Sequence, residues 1–203
     1  MVFNFLLNRI FSKKQKYNTY QDYLDHQKEK TLDPQRREKW LGKEWESKLT
    51  GFNEVFQRHS DVLKTCRKAI CIGARTGQEV KALRDLGIDA IGIDLVPHPP
   101  LVIEGDMHNI PFEDGSFDFA FSNCFDHSLH PDRFISEMER VTKPGGHALI
   151  QLQIGVSQDK YTETKVKSSS QVTKLFKQSK IVEDKQIPQN FAAMNWEILA
   201  RKS

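Results

Sequence analysis

The sequence predicts an α/β fold, a mostly parallel sheet with helices on both faces, preceded by a helical extension. Three observations predict it. From Lys68 onward, short apolar runs alternate with amphipathic helical stretches. The run Ala69–Ile72 meets a glycine turn, Gly73-Ala74-Arg75-Thr76-Gly77, that opens a helix. A second run, Ile91-Gly92-Ile93, ends in Asp94, about 20 residues past Gly73, the spacing at which a carboxylate reaches a ribose. Together these make a strand–helix–strand unit suited to a nucleoside.

Residues 1–65 read as the helical extension and residues 66–203 as the sheet domain. In the extension, Leu41, Trp45 and Leu49 recur every four residues, and Phe52, Val55 and Phe56 continue a helical period. Asp33-Pro34 is a helix start with proline in the first turn. Arg36, Arg37, Lys39, Lys43 and Lys48 alternate with Glu38, Glu44 and Glu46, the pattern of a solvated helix face. In the sheet domain, Ala69–Ile72 is a buried strand. Val80, Leu83 and Leu86 then line a helix that Gly87 ends. Strands follow at Ala90–Ile93, Leu101–Ile103 and Phe117–Ser122. Phe134, Ile135, Met138 and Val141 share a helix face, with Lys143-Pro144-Gly145-Gly146 as its terminator. His147–Ile154 is a long strand, and Val172, Leu175 and Phe176 mark another helix. Two strands close the chain near Ile181–Ile187 and Trp196–Ala200, and the polar stretch Ser157–Ser170 reads as a loop over the sheet edge.

The bulk properties narrow the class. The chain has 203 residues, 28% of them charged, with a mean hydropathy of −0.58, as expected of a soluble domain with a real core. A net charge of +3 and a pI near 8.7 fall short of a nucleic-acid-binding footprint, so no nucleic-acid partner is expected. Cys66, Cys71 and Cys124 are odd in number and form no CxxC pair. They point to a reducing, cytoplasmic setting and away from a disulfide framework or a metal site. No apolar run approaches the roughly 20 residues of a membrane span. The stretch from Val2 to Phe11 is apolar but broken by Asn4, Asn8 and Arg9, and Lys13, Lys14 and Lys16 follow it, the reverse of a signal peptide's order. It reads either as a helix packed on the domain or a partner, or as a helix lying on a membrane surface.

Residues 69–154 resemble class I S-adenosylmethionine-dependent methyltransferases of the type 11 kind. The similar segments are Cys71–Gly77, Gly92-Ile93-Asp94, Glu104-Gly105-Asp106-Met107, Ile110-Pro111-Phe112 and Phe117-Asp118-Phe119. Ser122-Asn123 to His127, Glu137–Val141 and Lys143–Gly146 follow in the same order. Any one is a weak signal; their order makes the resemblance. It implies a Rossmann-like seven-stranded sheet, completed by the two C-terminal strands, and S-adenosyl-L-methionine as cofactor. It implies methyl transfer to an unidentified acceptor, small or lipid-like.

The resemblance assigns roles. Gly73 gives the sharp turn and room for a ligand beside the backbone, and Gly77 lets the helix start close to the sheet. The helix N-terminus offers N–H groups to the cofactor carboxylate. Asp94 accepts from both ribose hydroxyls, Asp106 accepts from the adenine amino group, and Met107 packs on the ring. Asn123, at the exit of the fourth strand, is grouped with the cofactor residues. His127 is the base candidate because its pKa lies near neutrality, with a structural histidine as the other reading. His130 reads as a helix-start residue and Cys124 as a small apolar group.

Two departures stand out. The family usually has an acid at the position of Cys71, which anchors the cofactor's amino group, and a second glycine at the position of Arg75. Arg75 could pair with the cofactor carboxylate or form an i,i+4 pair with Glu79, and Glu79 could replace the missing negative charge. These departures keep open a methyltransferase-like binding or scaffold protein without turnover. A nicotinamide oxidoreductase fits less well, since Gly73 to Gly77 reads G-x-x-x-G rather than G-x-G-x-x-G. Ser122-Asn123-Cys124-Phe125 lacks the prolines of amide-methylating enzymes. Residues 18–60 are the expected lid, in which Trp40, Trp45, Phe52 and Phe56 either wall an acceptor chamber or form plain helix-to-sheet core.

Overall fold

The computed structural model describes residues 17–155, 159–190 and 192–203. The apolar stretch Val2–Phe11 lies outside them. Four helices come first: α1 (Tyr20–Leu32), α2 (Pro34–Leu41), α3 (Trp45–Arg58) and the single turn α4 (Ser60–Leu63). The chain then runs through β1 (Lys68–Ile72), α5 (Gln78–Asp85), β2 (Asp89–Asp94), β3 (Val102–Glu104), β4 (Phe117–Ser122) and α6 (Pro131–Val141). It closes with β5 (Thr142–Leu152), the one-turn α7 (Ser170–Thr173), β6 (Ser179–Gln186) and β7 (Trp196–Lys202). The strands form one seven-stranded sheet in the order β3-β2-β1-β4-β5-β7-β6. β3 to β5 are mutually parallel, and β7 runs antiparallel to both β5 and β6. The order reverses between β1 and β4, which opens a crevice at the carboxyl ends of those strands.

Each sheet face buries its own apolar layer. On one face, Phe52, Val55 and Phe56 of α3 and Val80 and Leu83 of α5 pack on Cys71, Phe119 and Phe121. The Phe56 and Phe121 rings meet edge-on, 5.2 Å apart. On the other, Phe134, Ile135 and Met138 of α6 cover Ile70, Ile72 and Ile150. The first helices are started by their own side chains. Thr19 and Asp22 cap α1 reciprocally, and Asp33 accepts from the Gln35 and Arg36 amides ahead of Pro34.

Several local expectations are corrected. Leu41, Trp45 and Leu49 do not form one stripe: the helix breaks at Gly42, and Leu41 is 37% exposed. Leu86 is 52% exposed because α5 stops at Asp85, and the turn through Gly87 (φ +81°) carries Leu86 off the buried face. The segment Lys143–Gly146 does not end α6. That helix runs directly into β5, and the segment is a bulge within the strand: pairing jumps from Phe117–Thr142 to Phe119–His147, with Gly145 at φ +78°. Around Val172 only one turn is helical; Leu175 and Phe176 lie past it and are buried as loop residues. The polar loop beyond residue 158 folds over the strand ends. Tyr161, Thr164 and Val166 are buried, and the Glu163 and Thr164 amides donate to the Asp126 carbonyl at 2.8 and 2.9 Å.

A buried ionic clip ties α3 and α4 to the sheet. Glu197 of β7 is 0% exposed and accepts from Arg58 Nη2 (2.5 Å), His59 Nε2 (3.1 Å) and Gln151 Nε2 (2.9 Å). Burial alone would raise its pKa, yet hydrogen bonds from His59, Arg58 and Gln151 and the Arg58 charge bring it down to about 2. A depressed carboxylate stabilises the fold above its unfolded pKa, and that contribution disappears as pH falls through the folded value. Glu197→Gln should therefore cost roughly 2 kcal/mol at pH 7, below the usual penalty for breaking a fully buried pair because Arg58 retains access to water. Urea melts of both proteins should show this gap closing as pH drops from about 4.5 toward about 2; a pH-independent gap would contradict the clip.

Candidate active site

Two hollows lie at the carboxyl ends of the strands, about 370 Å³ and 50 Å³ in volume, and both are lined by Lys30, Gly73, Arg75 and His127. The loop between β1 and α5 forms their shared floor. Gly73 (φ +77°) has no room for a side chain: a Cβ there would sit 2.3 Å from Cys124 Sγ. The Gly73 and Ala74 amides donate to the Ile93 carbonyl at 2.9 and 3.0 Å, so the loop rests on the end of β2. Gly77 (φ +86°) caps α5, and a Cβ there would meet Leu101 Cβ at 2.7 Å.

Arg75 keeps the backbone a glycine would adopt. Its φ is +46°, a left-handed conformation that costs an L residue about 1 kcal/mol, and its amide donates to Asp94 Oδ2 at 3.1 Å. The guanidinium lies over the Trp40 ring, 5.1 Å from its centre, instead of pairing with Glu79. Trp40 is buried, and Lys48 lies 5.1 Å from the same ring. Lys48 is thus a cavity residue, bonded to Glu44 at 3.2 Å, and not part of a solvated face.

Asp94 ends β2 and lines the smaller hollow, its two oxygens accepting the Arg75 and Val96 amides at 3.1 Å each. Burial raises its pKa against those bonds and the Arg75 charge. Asp106 and Met107 line the same hollow. Asp106 Oδ1 accepts from the His108 amide (2.8 Å), and Oδ2 accepts from the Tyr20 hydroxyl (2.6 Å). His108 is fully buried; its Nε2 accepts from the His130 amide, so Nδ1 carries the proton and faces Asp106 Oδ1 at 3.2 Å and the Tyr20 oxygen at 2.8 Å. The sequence offered no signal for Tyr20, which reaches Asp106 from a helix 86 positions away.

Asn123 and His127 line the larger hollow. His127 is buried on a 3₁₀ turn, Phe125–His127. Its Nδ1 donates to the Tyr161 carbonyl at 2.9 Å, which leaves Nε2 as acceptor toward Lys30 Nζ at 3.2 Å. Burial lowers its pKa, and the Lys30 and Arg75 charges oppose protonation further, against the pull of Asp126. The imidazole is therefore neutral at pH 7. Lys30 also bonds Asp159 at 2.7 Å. Lys30 and Asp159 also line the larger hollow, and nothing in the sequence signals them because each acts across a long stretch of chain. Cys124 is a packing group, its thiol pushed up to about 12 by burial. Phe52 borders the larger hollow, Phe56 belongs to the core, and Trp45 is half-buried. Among the described residues there is no metal-binding group, and no helix is long and apolar enough to cross a membrane.

Known proteins resemble parts of this chain. Residues 70–150 match a family model described as a methyltransferase domain. The match covers less than half of the chain, from β1 into β5. The demethylmenaquinone methyltransferase of Paenarthrobacter aurescens is 32% identical over 99 residues, 43% of this chain and 39% of that protein. Phthiotriol/phenolphthiotriol dimycocerosates methyltransferase 1 of Mycobacterium ulcerans is 43% identical over 51 residues, 23% of this chain and 18% of that protein. The matched segments thus span less than half the length of these relatives. The fold as a whole is shared with solved structures. The 1,6-didemethyltoxoflavin-N1-methyltransferase of Burkholderia thailandensis, solved with 1,6-didemethyltoxoflavin and S-adenosylhomocysteine, superposes with a TM-score of 0.70. Its identity is 14%, with 94% of this chain and 93% of that chain covered. A SAM-dependent methyltransferase of Aquifex aeolicus gives a TM-score of 0.54 at 17% identity, over 68% of this chain and 82% of that one.

Glu79, the second residue of α5, borders the larger hollow and is 5% exposed. Burial pushes its pKa up to about 8, in spite of the nearby Arg75 and Lys48. With the folded pKa above the unfolded one, unfolding releases a proton between about 4.5 and about 8, so this residue's contribution to stability falls across that window. The melting temperature of Glu79→Gln relative to wild type, both free of ligand, should rise from about pH 5 to about pH 8 and then level off. A pH-independent difference would show that Glu79 is ionised throughout.

Proposed function

We propose that the protein transfers a methyl group from S-adenosylmethionine to a small polar acceptor. The observation that carries this reading is the convergence of the Gly73–Gly77 loop, Asp94 and Asp106, all within the segment that matches the methyltransferase-domain model, on two adjoining hollows. In it, Asp94 receives the ribose hydroxyls, since each of its oxygens accepts one amide and keeps a second lone pair. Asp106, held by Tyr20 and His108, receives the adenine amino group beside Met107. Gly73 leaves room for the cofactor against the backbone, the α5 N-terminus and Arg75 receive its carboxylate, and Asn123 borders its sulfur end.

When bound, the cofactor supplies the electrophilic methyl. The chain's own task is to hold the acceptor in line, exclude water and, where the acceptor carries a proton, remove it. His127 Nε2 is the base: it is neutral, and the Tyr161 carbonyl fixes the tautomer. Accepting a proton there requires Lys30 to withdraw to its other partner, Asp159. The helices of residues 18–60 act as the cover, through Tyr20, Tyr23 and Lys30 at one end and Phe52 at the other.

The acceptor class is read from the larger hollow. Lys48, Asp126, Asp159 and Thr162 line it together with Phe52 and Met194. At about 370 Å³ this wall suits a small polar molecule better than a long acyl chain. The Burkholderia structure, which holds 1,6-didemethyltoxoflavin, supports the same size class.

Calorimetry with S-adenosylhomocysteine tests the cofactor reading. Wild type should bind it, and Asp94→Ala should weaken binding by roughly 1.5–3 kcal/mol, the scale of hydrogen bonds to a charged group. Unchanged affinity in a folded variant would remove Asp94 from the site. In turnover with a panel of small amines, phenols and nitrogen heterocycles, His127→Ala should lower the rate by about 10²–10⁴ while cofactor affinity stays within a few-fold. An unchanged rate would leave His127 a structural residue.

A further inference from the structure

We propose that Glu79 receives the ammonium group at the amino-acid end of the cofactor, while Arg75 receives the neighbouring carboxylate. The assignment rests on the methyltransferase reading above and identifies a residue that the glycine-loop pattern does not contain. On β1, the next-to-last position is Cys71, a fully buried thiol whose pKa burial raises, so the strand brings no charge to the site. Glu79 comes instead from the first turn of α5. It lines the larger hollow beside Gly73 and Arg75, and its carboxyl lies close enough to the Cys71 thiol to disfavour its ionisation.

The charged groups around it leave Glu79 available. Lys48 of α3 is paired with Glu44, and the Arg75 guanidinium lies over Trp40. Asp94 of β2 adds a negative charge that opposes ionisation, as does burial itself. A carboxyl held neutral on a cavity wall is poised for a cationic ligand, because an arriving ammonium supplies the counter-charge that the fold does not. Binding then drives the proton from Glu79 into solvent. The zwitterionic end of the cofactor meets one cation and one latent anion, both on the same short segment, residues 75–79.

Two probes separate this role from a structural one. S-adenosylhomocysteine carries the amino-acid end; 5′-methylthioadenosine keeps the nucleoside and thioether without it. Both are titrated calorimetrically into the full chain at pH 6.5, in buffers of different ionisation enthalpy. At this pH an α-amino group, with its ordinary pKa near 8, remains an ammonium. For wild type, close to one proton should be released per S-adenosylhomocysteine bound and none with 5′-methylthioadenosine. Glu79→Gln should bind S-adenosylhomocysteine at least ten-fold more weakly without proton release, and 5′-methylthioadenosine as before. Equal weakening toward both probes would make Glu79 structural and overturn the assignment. So would a variant with unchanged S-adenosylhomocysteine affinity, or a wild type that binds it without releasing a proton. A wild type that binds neither probe overturns the cofactor reading itself, and this assignment with it.

Discussion

The site depends on how closely the β1–α5 loop lies against the end of β2. The Gly73 and Ala74 amides bond the Ile93 carbonyl, and the Arg75 amide bonds the Asp94 carboxylate. A Cβ on Gly92 would come within 2.7 Å of Ala74 Cβ, and one on Gly77 equally close to Leu101 Cβ. With no side chain between them, loop and strand place a carboxylate, a row of amides and a helix N-terminus around one space. Arg75 tolerates a left-handed backbone there because the Asp94 bond and the Trp40 stack hold it on both sides.

The first helices complete what the sheet begins. Tyr20 reaches Asp106, Lys30 reaches His127 and Asp159, and Trp40 underlies Arg75. The strand ends alone would leave Asp106 and His127 open to water. Packed under α1 and the loop beyond residue 158, both sit in networks whose partners set their protonation. His108 keeps its Nδ1 proton because Nε2 accepts the His130 amide, and His127 keeps its own because Nδ1 faces a carbonyl. The position of α1 is therefore coupled to both ends of the site.

What was legible in the sequence follows from the range of each interaction. β1, β2, β4 and the apolar face of α6 were readable because strand and helix periods are local. The glycine turn and Asp94 were readable because their spacing is local too. Lys143–Gly146 reads as a helix terminator because glycine and proline carry that meaning alone; only pairing with β4 shows a bulge. The charged neighbours of Lys48 place it on a solvated face, whereas the helix breaks at Gly42 and Lys48 lies over Trp40. Tyr20, Lys30 and Asp159 were invisible because each acts across a long stretch of chain. The apolar runs carried the fold, while the polar site is built from contacts with no sequence period.

The most direct measurement is a crystal structure of the full chain grown with S-adenosylhomocysteine. The account predicts the ribose hydroxyls on Asp94, the adenine beside Asp106 and Met107 under α1, and the amino-acid end over the Gly73–Gly77 loop, with the thioether facing the hollow bordered by His127. A ligand bound elsewhere on the chain, or a saturated crystal whose strand-end crevice holds no nucleoside, would contradict it.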